Sequence, residues 1–366
     1  MKTITVTPYQ SYNYGGTLQA YALQRFQRSL GIENELLRLP VFDKRVRRKT
    51  FDFKNPRTYL FLLYAKLNAF LFRKEAASLQ RKFASFVSAH LKSTRLIETE
   101  EELFRHPPEA DCYITGSDQV FALRNPQAFA RLLGWTPPGK YRCSYAASLG
   151  EYDWSPEERK RFSAVLEGFD AISVRETYAQ NLLRPLTGKE VQEHLDPVLL
   201  LSPGDYDAVS APVRREKPYV LVYPLLHNPD MQELIDKTRE RLGMEIVSVR
   251  DGRFNRYKCD HYVPDAGPAE FLGLLRGAEA VLTTSFHGTA FACLFNKPFY
   301  VLTKNYKSQR ITDLLEHFGL SDRLYKSGMA VDFSVDFRLA NAAMEAGRRQ
   351  AKAYFERMAA ACGGGR

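Results

Sequence analysis

A chain of 366 residues with 45% hydrophobic and 13% aromatic side chains can bury a core large enough for two domains, which excludes disordered and fibrous classes. Cys112, Cys143, Cys259, Cys293 and Cys362 form no CxxC pair and no regular spacing, so neither a disulfide framework nor a zinc site is indicated. The formal charge of +10 is concentrated: between Arg38 and Arg95 fifteen Lys or Arg face three carboxylates, and the rest of the chain is close to neutral.

The first element is a strand, Ile4 to Thr7. It begins without the apolar stretch and small-residue cleavage site of a signal peptide, so a cytoplasmic location is the expectation. A helix follows over Thr17 to Leu30, where Leu18, Ala22, Phe26 and Leu30 share one face, and then a strand over Leu36 to Leu39. The basic segment 38–95 comes next. Inside it, residues 59–72 (YLFLLYAKLNAFLF) are apolar but shorter than the roughly 20 residues of a membrane span. The favoured reading is a core-packing helix with a solvated basic face. The alternative is a peripheral contact of this segment with an anionic membrane at the inner face of the plasma membrane. Nucleic acid is not an expected partner, because these aromatics group in an apolar helix instead of interleaving as stacking platforms.

Further strands are expected at Cys112 to Thr115, Arg142 to Ala146, Ala171 to Val174 and near Val191. A polar, Pro- and Gly-containing stretch from Ser202 to Lys217 then interrupts the pattern. Strand Tyr219 to Tyr223 opens a second series: a helix from Pro229, strand Glu245 to Val249, helix Pro268 to Gly277, strand Ala280 to Thr284, a helix from Gly288, strand Phe299 to Thr303 and helix Arg310 to Phe318. Strands alternating with helices in this way predict parallel sheets covered on both faces. The expected architecture is α/β, with a first Rossmann-like domain over 1–205, a second over 216–325 facing it across a cleft, and a helix over 333–360 returning to brace the first.

Three loops carry chemistry-bearing residues at strand ends. Thr283-Thr284-Ser285-Phe286-His287-Gly288-Thr289 joins a strand to a helix, placing an imidazole at a helix N-terminus that can receive an anion. A lone histidine is more often structural, and this position brings the catalytic reading level with it. Ser11-Tyr12-Asn13-Tyr14-Gly15-Gly16-Thr17 carries paired glycines, suited to a close backbone approach or to positive φ, and a tight βα turn is equally compatible. Gly116-Ser117-Asp118-Gln119 offers a carboxylate and an amide to sugar hydroxyls, or only an Asx turn. Arg175 ends a buried strand, where a salt bridge with Glu176 or anion binding are the alternatives. Arg310 opens a helix and is a weaker anion candidate.

Taken together, YNYGGTLQAYALQ, GSDQVF, ISVRE, the Asp196-Pro197 of HLDPVLLL and TTSFHGTAFACLFNKPF resemble the polysaccharide pyruvyltransferase family, with the motifs in family order across roughly residues 1–320. The resemblance implies a fold similar to the B-type glycosyltransferases, phosphoenolpyruvate as donor, and a sugar of a cell-surface polysaccharide or its lipid-linked precursor as acceptor. It implies no cofactor, phosphoenolpyruvate serving as co-substrate, and no metal. His287 would be the general acid and Asp118 the base. The donor site would take in Arg175, Ser285, Phe286, Gly288 and Thr289. Several family members carry Arg-Leu-His where this chain has Ser285-Phe286-His287, so Arg310 or Lys304 would supply the missing charge. The acceptor would meet Asn13, Tyr14, Gly15, Gly16, Gly116, Ser117 and Gln119. A nucleotide-sugar-dependent glycosyltransferase is the rival reading, since the fold is shared.

Overall fold

The computed structural model of the chain describes residues 1–40, 73–122, 128–150, 154–249, 257–303 and 309–363. Lys304 and the stretch 41–72, which holds the basic run and the apolar segment 59–72, lie outside the described residues. Among the described residues, no helix is long and apolar enough to cross a membrane.

The first half is built from β1 (Lys2–Val6), α1 (Tyr14–Ser29), β2 (Glu33–Arg38), α2 (Arg73–His90), β3 (Ser93–Leu96), α3 (Glu100–Arg105), β4 (Cys112–Thr115), α4 (Ala128–Arg131) and β5 (Tyr141–Ser144). Its five strands are parallel in the order β3-β2-β1-β4-β5. Helix α5 (Pro156–Glu167) leads to β6 (Ile172–Val174), then come α6 (Thr177–Leu183) and β7 (Val191–Glu193). Strand β6 pairs with β7, and single bridges at Cys143–Ala171 and Ala147–Val174 attach this pair beside β5.

A short helix, α7 (Pro203–Asp207), opens the polar stretch between the two series, capped by Ser202 and Asp205. The second half then repeats the plan with β8 (Tyr219–Tyr223), α8 (Met231–Leu242), β9 (Glu245–Val249), β10 (His261–Val263), α9 (Pro268–Gly277), β11 (Ala280–Thr283), α10 (Phe286–Leu294), β12 (Phe299–Val301) and α11 (Gln309–His317). Its order, β10-β9-β8-β11-β12, is the same permutation, again all parallel. Helices cover both faces, so β8 is buried at every residue, which is why it reads as the unbroken apolar run YVLVY.

This strand order has one consequence for function. In each half the chain winds one way from the first strand and the other way from the fourth, so a crevice opens where β1 meets β4 and where β8 meets β11. The loops leaving β1, β4 and β11 carry the sequence motifs. The halves are also joined through their interiors. Tyr14 of α1 stacks on Phe271 of α9 with ring centroids 4.2 Å apart, and its hydroxyl donates to the Ala266 carbonyl at 2.7 Å. One apolar cluster accordingly runs from Leu18 and Ile114 through Leu221 and Phe291 to Phe355. The last helix, α12 (Arg338–Gly363), lies against the first half: Tyr354 donates to the Ser144 carbonyl at 2.6 Å, and Arg348 to the carbonyls of Leu199 and Leu201.

Candidate active site

Asp196 stands between the loops that follow β4 and β11. It lies just beyond β7 and is 1% exposed. Its Oδ1 accepts from the Val198 N–H at 3.0 Å. Its Oδ2 accepts from Arg175 Nη1 at 2.6 Å, has the Ser117 hydroxyl at 3.3 Å, and sits 3.6 Å from His287 Nε2. Burial alone would push this carboxyl up; His287 and Arg175 outweigh it and hold the group well below the usual carboxylate range. Asp196 is therefore an anion locked between two cationic or protonatable groups.

Arg175 is fixed from three sides. Nε donates to Glu176 at 2.9 Å, Nη1 to Asp196, and the guanidinium lies 4.3 Å from the centre of the Phe286 ring. Burial opposes its charge, but Glu176 and Asp196 overcome that and raise its affinity for the proton. Among the described residues, Nη2 is buried without a hydrogen bond. An unpaired buried donor is costly, and an anion is the group that relieves it. Arg175, Asp196 and Phe286 line a cavity of about 280 Å³ together with Arg310, Asp313 and His194.

His287 sits in the first turn of α10 and is 7% exposed. Its Nε2 makes no hydrogen bond among the described residues and faces Asp196; its Nδ1 faces the first half, against Gly15. A Cβ on Gly15 would collide with that ring, which explains the first glycine of the pair. Neither Gly15 nor Gly16 has positive φ, and both belong to the first turn of α1. Close approach is thus the reason for Gly15, and what approaches is the histidine of the other half. Gly16 faces the Pro8 carbonyl, with Asp118 Oδ2 3.9 Å from where its Cβ would stand.

Several expected ligand contacts prove to be structural. Asn13 caps α1, its side chain accepting from the Gly15 N–H at 2.9 Å, and Tyr14 is fully buried between the halves, so neither is placed to meet an acceptor. Gly116 packs against Thr5 and Thr7 of β1 and its loop, and the Ser117 hydroxyl serves Asp196 or the Ala146 carbonyl. Ser285 caps α10 by accepting from the Gly288 N–H at 3.3 Å. Gly288 lies tight against Thr283 and Tyr223, and the buried Thr289 hydroxyl donates to the Ser285 carbonyl. With Ser285 occupying the helix end, these three residues hold His287 and Phe286 in place and are not themselves open to a donor.

Asp118 is half-buried and left-handed, φ 69°, where its backbone bridges to Ala147. Arg131, which no sequence pattern singled out, is buried beside it and loses proton affinity to burial against the pull of Asp118. The exposed Gln119 reaches the second half: with its amide oxygen turned to Arg310, Nη1 donates at 3.1 Å and Nη2 at 3.3 Å. Arg310 of the second half thus meets Gln119 of the first.

A family model described as polysaccharide pyruvyl transferase matches residues 13–306. The chain belongs to that family. Among solved structures, UDP-GlcNAc 2-epimerase from Methanocaldococcus jannaschii is similar at 14% identity and TM-score 0.52, covering 97% of this chain and 100% of the other. A putative UDP-N-acetylglucosamine 2-epimerase from Listeria monocytogenes is similar at 13% identity and TM-score 0.50, covering 97% of each. These likenesses show the fold, and the two Rossmann-like halves agree with the expected architecture. A search of curated proteins finds no significant match.

The cluster brings a carboxylate, an imidazole and two guanidinium groups together. Ionised Asp196 can accept a hydrogen bond from Nε2–H of the His287 ring, leaving Nδ1 on the side of Gly15. Arg175 and Arg310 offer charge to a bound anion. The signal for Asp196 was present in the sequence as Asp-Pro directly after a short strand, but its role emerges only once Arg175 and His287 are seen to share it.

Proposed function

We propose that the protein transfers the enolpyruvyl carbons of phosphoenolpyruvate to a sugar diol of a cell-surface polysaccharide or its precursor, forming a pyruvate ketal and releasing phosphate. Family membership carries the pyruvyl transfer, and the buried, unpaired Nη2 of Arg175 is the observation that supports an anionic donor. In this reading His287 delivers a proton to the methylene carbon while one sugar hydroxyl adds to the carbon bearing phosphate and yields its proton to Asp118. A second hydroxyl then attacks the same carbon and passes its proton to the departing phosphate, which leaves with the C–O bond electrons as the ring of the ketal closes. Asp196 holds the imidazole and steadies its charged form, while Arg175 and Arg310 neutralise the donor.

Calorimetric titration tests this. Phosphoenolpyruvate should bind the wild type and bind less tightly to His287→Ala and Arg175→Lys, since lysine cannot reproduce the guanidinium fork. A nucleotide sugar that bound while phosphoenolpyruvate gave no heat, with acceptor present or absent, would replace this reading with glycosyl transfer.

A further inference from the structure

The loop between β1 and α1 has a second wall. Beside it opens a cavity of about 400 Å³, lined among others by Tyr9, Gln10 and Tyr12 of the loop, Arg38 at the end of β2, and Gln80 and Phe83 of α2. Two independent features mark it as a place for a ligand. Tyr9 is only 2% exposed, yet among the described residues its hydroxyl has no partner that meets hydrogen-bond geometry, with the Ser93 side chain as its polar neighbour. Burial pushes this phenol up to about 12, so it remains a neutral donor throughout the physiological range. Tyr12, in contrast, is 41% exposed, its ring edge-on to Phe83 with centroids 5.9 Å apart. The cavity thus combines an aromatic surface, an unsatisfied hydroxyl and a few amide and guanidinium donors, the mixture by which small polar ligands with an apolar face are held.

Its position adds to this. The loop that lines the cavity runs directly into Asn13–Gly16, where Gly15 abuts His287 and Gly16 comes near Asp118. A ligand resting on Tyr12 is therefore on the loop that ends at the reacting groups. We propose that this cavity is the acceptor subsite and binds a hexopyranoside, its C–H face against Tyr12 and Phe83 and one hydroxyl bonded to Tyr9 Oη. The word acceptor rests on the function proposed above; the sugar site itself does not. It takes the place of the acceptor contacts expected of Asn13, Tyr14, Gly116 and Ser117.

The test uses the full chain and saturation-transfer NMR with methyl glucopyranoside, galactopyranoside and mannopyranoside, alongside calorimetry with phosphoenolpyruvate. At least one hexoside should give a signal with the wild type. Its dissociation constant should rise about five- to tenfold in Tyr9→Phe and in Tyr12→Ala, the loss of one hydrogen bond or one ring contact, with the phosphoenolpyruvate isotherm unchanged. Tyr9→Phe removes an unpaired buried hydroxyl and Tyr12 is exposed, so both variants should fold. Absence of any hexoside signal, with or without phosphoenolpyruvate, overturns the proposal, as does a signal undiminished in both variants. Weakened phosphoenolpyruvate binding in both also overturns it, by assigning the cavity to the donor. Hexoside binding that follows the variants in a protein that takes no phosphoenolpyruvate keeps the sugar site and ends the pyruvyl reading.

Discussion

At the scale of single residues, Asp196 and His194 illustrate two fates of a buried titratable group. Asp196 is held ionised by His287 and Arg175, so replacing it with asparagine keeps the shape and removes the charge that steadies a protonated imidazole. Steady-state kinetics of Asp196→Asn should show kcat reduced about a hundredfold or more with little rise in KM for phosphoenolpyruvate, because the lost carboxylate repels that donor instead of binding it. A wild-type kcat would remove Asp196 from the reaction. His194 is the opposite case. Its Nδ1 bonds the Ser173 hydroxyl at 2.8 Å, its ring packs on Tyr354, and burial, helped by Arg357, pulls the imidazole down to about 4. Above about pH 6.5 neither the folded nor the unfolded chain protonates this group. Between pH 6.5 and 4 only the unfolded chain takes up the proton, so stability is lost as the pH is lowered through that window, by roughly 3 kcal/mol. Urea unfolding across pH 4 to 8 should show this decline flattened in His194→Asn, and an identical decline in both proteins would contradict it.

At the scale of elements, Gly15 shows why the first turn of α1 matters more than its composition suggests. An alanine there suits the helix but collides with the His287 ring, so either the ring or the helix must shift. Gly15→Ala should retain the far-ultraviolet circular dichroism of the wild type while losing on the order of a hundredfold in turnover, the cost of a small misplacement of a reacting group. Full activity would mean that the contact between the halves is dispensable. The same glycine marks the limit of legibility in the sequence. The strands β4 and β8 were readable to the residue because each is buried at every position, and β9 because only its first residue, Glu245, is part-exposed. Strands β3 and β10 were not, because STRL and HYV are edge strands with polar or part-exposed residues. The helix start at Tyr14 instead of Thr17, and at Phe286 instead of Gly288, was hidden by glycines and by caps, Asn13 and Ser285, that read equally well as loop residues. The site was legible as three motif loops. That Ser117 serves Asp196 and the Ala146 carbonyl depended on contacts across the fold, which local spacing does not encode.

At the scale of the whole molecule, the two sheets could have been independent units joined by a polar linker, but their apolar interiors are shared. Tyr14 enters from the first half and is stacked between Phe83 and Phe271, with its hydroxyl on Ala266. The ion pairs of Lys82 with Asp265 and Glu270 join the same faces, but at about one-third exposure they contribute little, on the order of 1 kcal/mol or less. Packing at Tyr14 is therefore what couples the halves. Emptying that site should cost about 3 to 5 kcal/mol, as removal of a large buried aromatic does, and the cost falls on the contact between halves instead of on either sheet. Differential scanning calorimetry should then show one transition in the wild type and in Lys82→Ala. Tyr14→Ala should split it into two, with the lower one abolishing donor binding because His287 and Gly15 no longer meet. A single, merely lowered transition in Tyr14→Ala would mean that α12, reaching from the second half back to Ser144 and Leu199, is enough to keep the two sheets unfolding together.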